Sequence, residues 1–201
     1  MLADLSQEHV KQFKARMQRW VAPSHVALRN RPDQLSKLHG LAAIDAELFL
    51  EEALIHERPS DPRYADPVQV ARLLTLSELW VMGMYEFARR WAEEARDNLP
   101  EGSDHRVLVH SMRDALARVR MPMAKEKPTS RRKIEGDFGI AIPVAFTDGK
   151  VGWQVGPSAA IARVDLADDV ICTLERLGST NQQGTIQHST DGARSSPPIQ
   201  I

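Results

Sequence analysis

Apolar residues recur along this chain first at helical spacing and then, after about residue 137, at strand spacing. The strongest helical pattern runs from Asp66 to Asn98. Asp66 is placed to cap the helix and Pro67 to open it, while Leu99-Pro100 forbids continuation. Val70, Leu73, Leu74, Ser77, Trp80, Val81, Met84, Phe87, Ala88 and Trp91 form a broad apolar arc, which Leu76, Leu79 and Gly83 extend. Only a narrow stripe stays polar: Thr75, Glu78, Tyr85, Glu86, Arg89 and Glu93, interrupted by Met82. A helix apolar on most sides predicts a central pillar in the core.

Three more helices surround it in sequence. Over Leu5–Val21, Val10, Phe13, Met17 and Trp20 make one face, with Lys11, Lys14, Arg16 and Arg19 directed elsewhere and Ala22-Pro23-Ser24 as the stop. A second helix is expected over Gln34–His56, capped by Asp33, with Gly40 as a weak point or a close crossing. Pro59-Ser60-Asp61-Pro62 breaks the chain before the pillar. A fourth helix is expected from Ser103 or Asp104 to Arg120, with Val107, Leu108, Met112, Ala115, Leu116 and Val119 on its apolar face.

The second pattern is strand-like. Phe138–Phe146 reads as a strand that Pro143 demotes to an edge. Asp148-Gly149 is a hairpin turn signal before a second strand, Val151–Val155, with Trp153 at its centre. Ala160–Val164 is a third strand, and Asp165 caps a last helix, Leu166–Leu177, which Gly178 ends.

The expected fold class is therefore α+β. A mainly α-helical bundle over 1–122 surrounds a long central helix. A basic linker or crossing loop follows over 123–137, and a β-hairpin or three-stranded antiparallel sheet with a C-terminal helix over 138–178 packs on the bundle. The polar residues 179–201 form a tail expected to be disordered.

Composition adds constraints. A net charge of -1 gives no global pull toward nucleic acid or an anionic membrane. The lone Cys172, expected beside the apolar face of its helix, excludes an intrachain disulfide and a cysteine-based zinc cage. Residues 1–13 lack the apolar core of a secretory signal, and no window reaches the length of uncharged apolar chain a membrane span requires. A cytoplasmic, non-membrane protein is expected.

Candidate chemistry is sparse. Glu52 and His56 lie one helical turn apart and are the best pair of metal ligands, yet a solvated helix face explains them as well, and no metal or cofactor is expected. Glycine-rich phosphate loops and a Gly-x-Ser-x-Gly elbow are absent. The candidate catalytic residues are Glu78, Glu86 and Arg89 on the polar stripe, with His110 from the fourth helix. Arg131, Arg132 and Lys133 are candidate phosphate contacts, without flanking aromatics for base stacking. Arg19 and His25 match the Arg-to-His spacing of the HEPN superfamily, whose helical ribonucleases this bundle resembles in architecture. Pro23 stands between the two, and with seven histidines in the chain about one such match is expected by chance.

Two functions follow as expectations. The first is a non-enzymatic interaction or regulatory protein that binds a protein partner or itself, with Trp153 and the edge strand at the interface. The second is a hydrolase or HEPN-like nuclease acting from a cleft in the bundle.

Overall fold

The computed structural model of the chain describes residues 6–58, 60, 66–125, 136–146 and 149–191, with side chains described through Ser179. Helix α1 spans Gln7–Ala27, α2 Pro32–Glu57, α3 Pro67–Asn98 and α4 Asp104–Lys125. Strands β1 (Ile142–Ala145), β2 (Val151–Gly156) and β3 (Ala159–Ala162) form an antiparallel sheet in the order β1-β2-β3, and α5 (Arg163–Asp191) completes the chain. The α+β arrangement, mainly helical with one small sheet, is the one the periodicity predicts.

The central helix keeps its expected bounds. Pro67 opens α3, and the Asp66 carboxylate accepts a hydrogen bond from the Val68 N–H at 2.9 Å. Leu73, Trp80, Val81, Met84, Phe87, Ala88 and Trp91 are buried against the other helices and the sheet. The arc is narrower than its sequence suggests, since Leu79 is 60% exposed and Val70 42%.

The other boundaries differ for physical reasons. Helix α1 does not stop at Pro23 but passes through it to Ala27. An internal proline costs about 3 kcal/mol, but stopping there would leave the buried Ser24, Ala27 and Leu28 without their places in the core. Ser24 also donates its hydroxyl to the Val21 carbonyl at 2.9 Å. Helix α4 likewise includes Pro122, which is buried, and reaches Lys125. Helix α2 begins at Pro32 after Arg31, not with Asp33 as its cap. Gly40 makes no close crossing; that role falls to Gly83 on α3, against the Leu41 side chain.

The sheet is shorter than the apolar runs that encode it. Pro143 does lie in an edge strand, as expected. Gly149 has φ +82°, the left-handed conformation of its hairpin turn, and packs against Glu52 and His56 on α2. Thr147 and Asp148 lie outside the described residues. Arg163 and Val164 leave the expected third strand to begin α5. Gly178 does not end this helix, which continues to Asp191 with Gly178 set against Val26 of α1. Residues 192–201, the rest of the expected disordered tail, lie outside the described residues. One apolar core joins all these parts, drawing Trp20 from α1, Trp80 and Trp91 from α3, Trp153 from β2 and Leu174 from α5.

Candidate functional site

The densest polar constellation lies inside the core. Arg16 and Trp20 are one turn apart on α1 and reach the same carboxylate, Asp45 of α2. Glu52 stands two turns further along α2, on the same face. Arg163, the first residue of α5, enters from the strand-to-helix junction. Arg16, Asp45, Glu52 and Arg163 are at most 4% exposed.

Their geometry is close and complete. The Asp45 Oδ2 atom accepts from Arg16 Nε at 2.6 Å and from Trp20 Nε1 at 2.7 Å. Its Oδ1 accepts from Arg16 Nη2 at 3.3 Å and from Arg163 Nη1. Arg163 then makes a two-pronged pair with Glu52, at 3.1 and 2.9 Å. The network reaches the surface through Asp168 of α5, which accepts from Arg16 and, at 3.0 Å, from Arg19. Two aromatic faces close it, Trp80 lying 5.7 Å from the Arg163 guanidinium and Phe49 5.0 Å from that of Arg16.

Burial and charge compete within the cluster. Burial pushes the Asp45 carboxyl upward, but Arg163 and Arg16 outweigh it and hold the group below the usual carboxylate range. At Glu52 burial wins over Arg163, and the pKa is raised. Both oxygens of Asp45 accept two hydrogen bonds each and both of Glu52 accept from Arg163. A substrate proton or a metal would have to displace a guanidinium. This chemistry suits a clamp that fastens α1, α2 and α5 together.

The sequence-predicted site residues lie elsewhere or serve that clamp. Glu52 is committed to Arg163, while His56 is exposed, so the pair does not converge on a metal. Among the described residues no three His, Cys, Asp or Glu side chains are grouped to hold a metal ion. The central-helix stripe is a surface ladder in which Arg89 donates to Glu86 at 2.9 Å and to Glu93 at 2.7 Å, all three partly exposed. Arg120 lies over Tyr85 beside it. Glu78 is half-buried and joins neither network. His110 turns toward the Ala92 backbone, and burial, with Arg113 and Arg106, lowers its pKa.

Trp153 is completely buried, which corrects its placement at an interface: its ring fills the space between the sheet and the helices. Cys172 is exposed on α5 and not in the core. Arg19 is tied to Asp168, and His25 stacks edge-on against His39 at 5.2 Å, so each has a local partner. Arg131, Arg132 and Lys133 lie outside the described residues.

Arg16, Asp45 and Arg163 are the site residues that sequence reasoning missed. A signal exists: Arg16 lies three residues after Phe13 and four before Trp20, and Asp45 lies midway between Ala42 and Leu48. Each charge therefore falls on the apolar face of its own helix.

A second feature is a groove between α4 and α5, of about 280 Å³. Met112, Leu116, Leu166 and Val170 line its floor, and Asp169, Cys172 and Arg176 stand along the α5 side. Partial burial and the neighbouring Asp165 and Asp168 raise the Asp169 pKa. Comparison with models of known families, with curated proteins and with solved structures returns no match. No described helix is long and apolar enough to cross a membrane.

Proposed function

We propose that this chain is a non-enzymatic interaction protein whose docking surface is the groove between α4 and α5. The reading is carried by a contrast in charge. The clamp neutralises its own charges, whereas Asp169 stands beside an apolar floor and pairs with no cation among the described residues. Asp168 is held by Arg16 and Arg19 and Asp165 lies 3.8 Å from Lys150, so the charge left to answer is that of Asp169. A partner that sets a Lys or Arg beside a large apolar side chain would offset it and fill the groove with the same segment. The partner expected is therefore a protein with a basic, apolar-anchored segment.

Cys172 makes the test direct, because it is the only cysteine of the chain and it lines the groove. A maleimide photo-crosslinker attached there should yield one dominant protein adduct when irradiated in an extract of the source cells. Ala115→Arg places a long cation in the groove and should abolish that adduct while leaving the melting temperature within a few degrees of wild type. An undiminished adduct from the folded variant, or no adduct at all, would reject the groove as the docking surface.

A further inference from the structure

The sheet has an open edge with an unusual composition. Among the described residues strand β1 pairs only with β2, and no charged residue occurs between Phe138 and Phe146. Ile142 is 41% exposed and Ile140, just before the strand, 53%. A short, uncharged, partly apolar edge of this kind is a template for pairing with another strand.

The register identifies which backbone groups face outward. Phe146 donates its N–H to the Lys150 carbonyl at 2.9 Å, so these two are a hydrogen-bonded pair. Antiparallel pairs alternate, so Val144 with Gly152 and Ile142 with Gln154 bond across the hairpin. Pro143 with Trp153 and Ala145 with Val151 are then the non-bonded pairs. The peptide groups of Pro143 and Ala145 point away from β2, toward the open edge, and the same alternation sends those of Ala141 outward. Proline is tolerated in this strand because its nitrogen faces no acceptor among the described residues.

We infer that Pro143 guards this edge against antiparallel pairing with a second copy of the chain. In a two-fold pair centred on residue 143, Ala141 of each copy faces Ala145 of the other, and these positions can exchange N–H···O=C bonds. The central pair is residue 143 with itself. Both of its bonds need an N–H that proline lacks, and the pyrrolidine ring occupies the space where the strands must meet. The edge is thus closed at its centre by one residue, independently of what docks in the α4–α5 groove.

The test is Pro143→Thr in the full chain, with Pro143→Ala as a second variant that restores the N–H with a minimal side chain. Pro143 is exposed and donates no hydrogen bond, so both should keep the wild-type circular dichroism. Sedimentation equilibrium should show self-association strengthened about tenfold or more over wild type, from two restored hydrogen bonds. Amide exchange at Ala145 should slow in the associated form. Adding Ala145→Pro to Pro143→Thr should return it to wild-type behaviour. The inference is overturned if both folded variants sediment as wild type does, or if the wild-type chain already associates with the Ala145 amide protected.

Discussion

Among this protein's arginine–carboxylate pairs, the clamp at Asp45 and the ladder on α3 lie far apart in burial, and the same chemistry does different things in each. In the ladder, Arg89 lies between Glu86 and Glu93, with side-chain exposures of 35%, 45% and 46%. Water competes for every group, and the three residues belong to one helix, so the pairs constrain only local rotamers. In the clamp, Arg163 and Asp45 are fully buried and come from different parts of the chain. Their hydrogen bonds fix the α2–α5 seam, and Arg16 fixes that of α1 against both. The ladder decorates a helix that packing has already placed, while the clamp selects which helices meet and in what register.

The largest effect should come from removing one member of the clamp. Arg163→Met leaves Glu52 buried with no cation opposite it and costs Asp45 one of its two guanidinium partners. A loss of about 3–5 kcal/mol in urea unfolding is expected for a broken buried pair. The added change Glu52→Met removes the stranded charge, so the double variant should be more stable than Arg163→Met alone. If the double variant is the weaker of the two, the account of a clamp paired through Glu52 fails.

An intermediate effect is expected from pH, with the two carboxylates pulling in opposite directions. Asp45 has a depressed folded pKa, so its stabilisation is complete above its unfolded value and is lost as pH falls through the folded one. Glu52 has a raised folded pKa, so the cost of ionising it is present above that value and disappears as pH falls below its unfolded one. On acidification, stability should hold or rise slightly through the upper carboxylate range, then drop below the ordinary aspartate range. Glu52→Gln should remove the upper feature and leave the acid drop. A monotonic decline with the same shape in wild type and Glu52→Gln would show that the two groups do not titrate as their surroundings dictate.

The two settings also show what the sequence made legible. The helical bundle, the pillar from Pro67, the edge position of Pro143 and the α+β class all follow from local signals: apolar period, caps and turn residues. Pro23 and Gly178 are local stop signals that tertiary packing overrides, most clearly where buried residues lie beyond Pro23, and α4 runs past its expected end at Arg120 through the buried Pro122. The ladder was legible because its members lie three and four residues apart. The clamp was not, since Arg16 and Asp45 are 29 positions apart and Arg163 follows Asp45 by 118. A charge on an apolar face is ambiguous until the fold brings its opposite. Glu52 illustrates this: the spacing offers His56, one turn away, as its companion, but its partner Arg163 comes from the start of α5.

The smallest effect belongs to the ladder and sharpens the contrast. Arg89→Ala removes both of its exposed pairs, at i−3 and i+4 on one helix. Pairs of this type contribute about 0.2–0.5 kcal/mol each, and alanine returns part of that through its higher helix propensity. The net change in urea unfolding should stay below about 1 kcal/mol. It should shrink further in high salt, because the pairs face water and are screened within a few ångströms. The clamp variant Arg163→Met should keep most of its deficit in the same salt, since ions cannot enter a fully buried seam. Unfolding both variants at low and high salt therefore separates the two settings by a property that geometry alone assigns. Equal salt sensitivity in the two would mean that water reaches Asp45 and Arg163 and that the clamp is not closed.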